Sequence, residues 1–363
     1  MFDRIKILEA LGKVNDPQTG RSIIAVNLIQ DLEIEGNSIN FKLSLPSLNM
    51  PHKQDLVFAC VQSVQAVYPE ADVNVHTTAT NPAKDHEEKI LPQITNIIAV
   101  ASGKGGVGKS TVASNLALGL AKLGAKVGLM DADLYGPSIP TMFGVQDKKP
   151  QIKDIYGQAK ICPIEAHGIE LISIGNIVEP EQAVVLRGPR LAGIIKQFLN
   201  ETLWSPLDYL VIDLPPGTGD IQLTLVQSVP LTGVIMVTTP QEVALIDAVK
   251  AMNMFQLPQV NVPILGVVEN MSWFTPMELP DNKYYIFGEG GGKKLALLSN
   301  SVLLGQVPLV QGIREAGDSG TPMVLQQDSI SQKAFMQIAE NVVRQVANRN
   351  EQLAPTMKVE MQP

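Results

Sequence analysis

Two cysteines in 363 residues, Cys60 and Cys162, are too few for a disulfide framework and fit a reducing compartment. Aromatic residues make up only 5% of the chain, which argues against reading single-stranded nucleic acid by base stacking. Positive charge is also short. With 28 Lys and Arg against 36 Asp and Glu, the net charge is −8, which offers no global basic footprint for nucleic acid or an anionic membrane. No apolar run reaches the roughly 18 residues that a spanning helix needs. The opening MFDRIKILEALGKVND carries charges every few positions and lacks the apolar core of a signal peptide. What is present is ordinary for a packed protein, 45% apolar and 18% charged, expected in the cytoplasm and long enough for about two domains.

The hydrophobic pattern changes once along the chain. Residues 1–79 read as a small α+β unit. Phe2 to Val14 has helical spacing, Ser22 to Ile34 and Ile39 to Leu45 are rich in β-branched residues, and Glu35-Gly36-Asn37 lies between them as a hairpin turn. Pro51 opens a helix with Leu56, Cys60, Val64 and Val67 on one face, and Ala71 to His76 closes the unit as a strand. Residues 80–92 are polar and proline-containing, as in a linker. From residue 93 to 350 short Val/Ile/Leu runs alternate with helices, at 97–101, 127–130, 209–212, 234–237 and 264–268. That alternation predicts an α/β fold whose mostly parallel sheet is covered by helices, the clearest over 109–123, 242–255 and 331–348. Residues 351–363 read as a flexible tail.

Gly103 to Ser110 reads GKGGVGKS and satisfies the P-loop pattern G-x-x-x-x-G-K-[ST], between the strand IIAVAS and a helix. The chemistry needs each element. Glycines let the backbone wrap phosphates with its N–H groups inward, and the helix N-terminus adds partial positive charge. Lys109 reaches the β and γ oxygens of ATP, and the Ser110 hydroxyl is placed for Mg²⁺. Two later strands end in carboxylates, VGLM at Asp131-Ala132-Asp133 and LDYLVI at Asp213. Strand C-termini are where a parallel sheet binds ligands. Asp213 is therefore the candidate for the carboxylate that holds Mg²⁺ through water, with Asp131 close by. Asp133 is the candidate for placing the attacking water.

The string KGGVGKST resembles the deviant P-loop of the MinD, ParA and nitrogenase-reductase class, in which the extra lysine, here Lys104, crosses to a partner subunit's nucleotide. That resemblance implies an ATPase acting as a homodimer. DADLYGPSIP, DLPPGTGD, TTPQEVALIDA and VENMSWF, in this order, resemble the Mrp/ApbC iron–sulfur cluster carrier ATPases over roughly residues 95–345. Residues 1–79 resemble the small domain fused in front of bacterial members. The family implies that Gly105, Gly106, Val107, Gly108, Lys109, Ser110 and Thr111 bind the phosphates. It also implies that Asp131 and Asp133 form a first switch, that Asp213 with Gly217 to Gly219 forms a second, and that Asn270 contacts adenine. An Asn simply closing a strand end is the competing reading of Asn270. Arg187-Gly188-Pro189 matches a family segment without an assignable mechanism.

The implied function is assembly or transfer of iron–sulfur clusters to client apoproteins. The implied [4Fe–4S] cargo meets a departure. Many members carry Cys-x-x-Cys shortly after the Asn-Met-Ser, whereas Trp273 to Tyr285 here contains no cysteine. Four thiolates are the usual requirement. Cys60 sits on an apolar helix face and Cys162 in a strand-like run, so both read as packing residues. His52, His76, His86 and His167 have no metal-ligand spacing. Phe287 to Lys293, FGEGGGK, is glycine-rich and precedes a helix, but lacks the G-K-[ST] ending and reads as a flexible connection. Two alternatives stay open: a MinD/ParA-like positioning ATPase, and an assembly ATPase that carries no cluster itself.

Overall fold

The computed structural model describes residues 2–15, 22–24, 28–45, 53–79, 91–133, 136–155, 158–177, 188–276, 278–279, 281–327 and 329–353. Pro51, most of the expected linker, Arg187 and residues 354–363 fall outside them. The chain divides into two compact units, residues 1–89 and 90–363.

The first unit begins with a helix, Arg4–Leu11, shorter than the apolar spacing suggested because Gly12 and Lys13 enter a turn. Strands β1 (Ile29–Glu35) and β2 (Ser38–Leu45) form an antiparallel hairpin turned at Gly36, whose φ is +59°. The strand expected from Ser22 starts only at Ile29; Ser22 instead makes an isolated bridge to Asn15. The helix Lys53–Gln65 then returns the chain to β3 (Asp72–Ala79), which pairs parallel with β2. Ile7, Leu11, Phe41, Leu43, Leu56, Cys60 and Val64 make the core between helices and sheet. A fully buried Leu or Phe contributes roughly 1.5–3 kcal/mol, so this small core suffices only because nearly every apolar position of β2 faces it.

The second unit contains β4 (Ile94–Ser102), β5 (Val127–Asp131), β6 (Ile152–Ile155), β7 (Gln158–Ile161), β8 (Ile164–Ala166), β9 (Ile169–Ser173), β10 (Leu207–Asp213), β11 (Gly233–Thr238), β12 (Ile264–Glu269) and β13 (Leu303–Gln306). Eight of these make one sheet in the order β13-β12-β11-β4-β10-β5-β9-β8, parallel throughout except for β8 against β9. β6 and β7 form a separate hairpin. Successive residues of β4 serve opposite faces. Ile97, Ala99 and Ala101 join one hydrophobic layer with Phe198, Leu245 and Phe255, whereas Ile98 and Val100 join another with Val112, Leu116 and Phe335. Burial on both faces explains why the strands read as continuous apolar runs. The last helix, Ile330–Gln352, takes in the first two residues of the expected tail; its Ser329 Oγ accepts from Gln332 N at 2.9 Å as an N-cap.

Strand order decides what meets what. β10 lies between β4 and β5, with Asp213 in register with Val100 on one side and Asp131 on the other. β9 follows β5, with Ser173 opposite Asp131. Carboxylates 82 positions apart in sequence thus become neighbours at the sheet's C-terminal edge, where the loop after β4 begins.

Candidate functional site

The loop after β4 has the backbone that phosphate binding requires. Gly106 and Gly108 have φ of +79° and +81°, a region that other residues adopt only with strain, and Gly105 and Gly106 are exposed. Gly108 is the N-cap of the helix Lys109–Lys122, with no side chain capping its first N–H groups. Those donors are left for an anion. Gly103 serves a different purpose: a Cβ there would sit 2.1–2.3 Å from the backbone of Asp247 and Ala248, so only glycine lets the loop start against the helix Glu242–Gln256.

The expected charged residues converge. Lys109 Nζ lies 2.7 Å from Asp213 Oδ1 and 3.4 Å from Asp133 Oδ2, with Lys109 only 5% exposed and Asp213 fully buried. Asp131 is also fully buried; its Oδ2 accepts from Ser173 Oγ at 2.8 Å and its Oδ1 from Asp133 N at 3.1 Å. Burial, and next the adjacent Asp213, push the Asp131 carboxyl up to about 8. Burial likewise raises Asp213, with Lys109 and Ser110 acting the other way. Asp133 and Asp213 both lie beside the one ammonium of Lys109, so two carboxylates share a single positive charge. Asp213 Oδ2 is buried with no hydrogen-bond partner among the described residues. A buried orphan acceptor beside the Ser110 hydroxyl fits a small divalent cation, and Mg²⁺ is the one that keeps waters and substrate phosphates as most of its ligands. Among the described residues no group of three or more His, Cys, Asp or Glu is arranged to hold a metal ion by itself.

The turn after Asp213 is pinned around the loop. Leu214 N donates to Val100 O at 3.1 Å and Gly217 N to Ser102 O at 2.9 Å, while the buried Gln222 amide donates to Pro215 O and Gly217 O. Asn270 is near, but its amide does something the sequence did not suggest. Nδ2 donates to Val107 O at 2.9 Å, so it grips the loop itself. Its backbone N donates to Thr238 O at 2.8 Å. Lys104 is half-buried and enters no ion pair among the described residues; Ser102 Oγ donates to its carbonyl at 3.0 Å. Ser173 was missed by sequence reasoning. A serine in LISIGN carries no signal, and only the register with Asp131 reveals it.

Cys60 is fully buried, and burial alone pushes its thiol up to about 12. Cys162 is partly exposed. His167 lies beside Gly320 O at 2.9 Å, a packing contact within its unit.

A glycine loop entering a helix from a parallel sheet, with Lys109 and two strand-end aspartates converged on it, defines a P-loop NTPase. Comparison with known proteins narrows this. Residues 93–343 match the model of the NUBPL iron-transfer P-loop NTPases, and residues 4–77 match that of an iron–sulfur cluster assembly protein. The chain is 46% identical over 348 residues to the iron–sulfur cluster carrier protein of Synechocystis, covering 94% of this chain and 97% of that one. It is 42% identical over 351 residues to the carrier protein of Deinococcus radiodurans, covering 94% and 95%. Among solved structures, a nucleotide-binding protein from Archaeoglobus fulgidus in complex with ADP superposes with a TM-score of 0.57 at 37% identity, covering 68% of this chain and 94% of that one. MinD from Pyrococcus horikoshii, at 23% identity and a TM-score of 0.52 over 70% and 98% of the two chains, shares the fold. The chain belongs to the iron–sulfur cluster carrier family of P-loop NTPases.

Proposed function

We propose that this protein is a cytoplasmic ATPase that assembles iron–sulfur clusters or transfers them to client apoproteins, working as a nucleotide-switched homodimer. The observation that carries the reading is the buried Lys109–Asp213 pair at 2.7 Å, with the unpartnered Asp213 Oδ2 beside it at the mouth of the glycine loop. Removing a lysine from water is costly, and such a pair is poised rather than strongly stabilising. Phosphate oxygens arriving over Gly103 to Thr111 compete for the ammonium. Ser110 and Asp213 are the residues that would hold Mg²⁺, which supplies charge neutralisation on the phosphates when bound. Asp133, 13% exposed on its side chain and 3.4 Å from Lys109, is the group placed to orient water. Lys104, half-buried and without an ion-pair partner among the described residues, is the residue that reaches a second copy's nucleotide.

The cargo chemistry falls unequally on the two thiols. A thiolate is the form that ligates iron, and burial of Cys60 keeps its proton on at any physiological pH. Cys162 is the thiol with access to solvent. Two copies of the chain supply two such thiolates, short of the four that a [4Fe–4S] cluster usually takes, so the clients or donors provide the balance during transfer. Anaerobic reconstitution with iron and sulfide tests this. Cys162→Ala is expected to lose the iron that the wild type binds, and Cys60→Ala to retain it. No iron on the wild type, with ATPase activity intact, selects the reading in which the protein drives assembly on a partner without carrying the cluster.

A further inference from the structure

The glycine-rich run Phe287 to Lys293 is unused by the nucleotide site, yet it is not a loose connection. It opens the helix Gly291–Leu298, whose N-cap Gly290 has φ +79° and offers no side-chain cap. The missing cap comes from a strand end. Glu269, 1% exposed, accepts from Gly292 N through Oε2 at 2.6 Å and from Gln306 Nε2 through Oε1 at 2.6 Å. Gly292 has to be glycine, because a Cβ there would lie 2.6 Å from Glu269 Cβ. A carboxylate at a helix N-terminus takes up its unpaired N–H groups and its partial positive charge. The run that resembles a second anion loop is filled by the chain's own anion.

The next residue is Asn270, which grips the phosphate loop at Val107 O. The grip is tight: a Cβ on Gly108 would lie 2.1 Å from Asn270 Nδ2. The Val107 carbonyl and the Gly108 N–H belong to one peptide group, so a phosphate accepting from that N–H strengthens the carbonyl as an acceptor for Asn270. On its other side Glu269 ties down both ends of the intervening segment. Ser272 Oγ donates to Glu269 O at 2.9 Å, and Gly292 N binds its carboxylate. Between them Phe274 and Tyr284 exchange both backbone hydrogen bonds at 2.8 Å in an isolated bridge, and Tyr284, Tyr285 and Ile286 are 45%, 45% and 60% exposed.

We propose that Glu269 is a positioning residue that transmits occupancy of the phosphate loop, through Asn270, to the exposed aromatic segment 284–286 and the helix start at 291–292. The apolar surface there is thereby held in an arrangement that depends on nucleotide.

Hydrogen exchange on the full chain, with and without Mg²⁺-ADP, tests this. In the wild type ADP slows exchange at 105–110 and, by roughly fivefold, at 284–292, as strengthening by one hydrogen bond's worth would give. Glu269→Ala removes both acceptor oxygens, so neither Gly292 N nor Gln306 Nε2 keeps its partner. In that variant ADP still protects 105–110 but no longer slows 284–292. Gly292→Ala breaks the same contact from the helix side and gives the same split, which covers failure of the first variant to fold. A purely structural Glu269 would raise exchange at 284–292 equally with and without ADP, preserving the fivefold ratio, and that result overturns the proposal. So does a wild type in which ADP leaves 284–292 unchanged.

Discussion

Two glycine-rich junctions lead from strand to helix in the second unit, and they are built alike and used oppositely. Gly108 and Gly290 are both left-handed N-caps without a capping side chain, at φ +81° and +79°. At the first, no side chain caps the helix start and the preceding Gly105-Gly106 is exposed. At the second, Glu269 fills the helix start from within. A helix N-terminus is an anion site in either case. What separates a ligand site from a structural one is whether the fold already supplies the anion, together with the lysine and hydroxyl that follow the last glycine of the first.

The most damaging way to break the first junction is Lys109→Ala. ATP turnover is expected to fall by on the order of a thousandfold in a phosphate-release assay, since a cation aimed at transferring phosphate is lost. The same change leaves Asp213 buried without its ion pair, which costs up to about 3–5 kcal/mol in denaturant titrations unless the carboxyl takes up a proton. Lys104→Ala is expected to leave ADP affinity within about twofold while lowering hydrolysis about a hundredfold, as the proposed role on a second copy's nucleotide requires. Normal turnover by a monomeric Lys104→Ala protein would remove the dimer from the mechanism.

A smaller effect separates the junctions by pH. Because Asp131 is raised to about 8 from an ordinary 3.8, the folded chain keeps a proton that the unfolded chain releases. Its contribution to stability is complete below about pH 4 and is lost as pH rises toward about 8. Asp131→Asn escapes that loss. Its advantage over wild type in urea unfolding without nucleotide should grow by at least about 1 kcal/mol between about pH 5 and about pH 8. A constant difference would show that Asp131 stays ionised in the folded chain. Smallest of all, Asn270→Ala removes one hydrogen bond to the phosphate loop and should weaken ADP binding about fivefold in calorimetry.

The parts of this molecule that sequence disclosed share a physical property: the information is local. Five parallel strands were visible because burial on both faces makes each a run of Val, Ile and Leu, as in Ile264–Glu269. The phosphate loop was visible because its backbone, cation and hydroxyl lie within eight consecutive residues. By contrast β6, β7, β8 and β13 are three or four residues long, and the run Ile152–Ile155 is wholly exposed, so their composition carries little signal. The strand expected from Ser22 had the right residue types, but Ser22 pairs with Asn15 in an isolated bridge and the hairpin strand begins at Ile29.

The sequence by itself determined a phosphate-binding loop, the carboxylates available to it and the absence of a Cys-x-x-Cys after Asn270, because these follow from which residues are covalently near one another. Tertiary structure alone decided the pairings. Asp131 meets Asp213 and Ser173 through strand order, Asn270 meets Val107 across 163 positions, and Glu269 meets Gly292 and Gln306 across 23 and 37. It also decided that the Cys60 thiol keeps its proton, since a thiol's proton depends on what surrounds it and not on its neighbours in the chain.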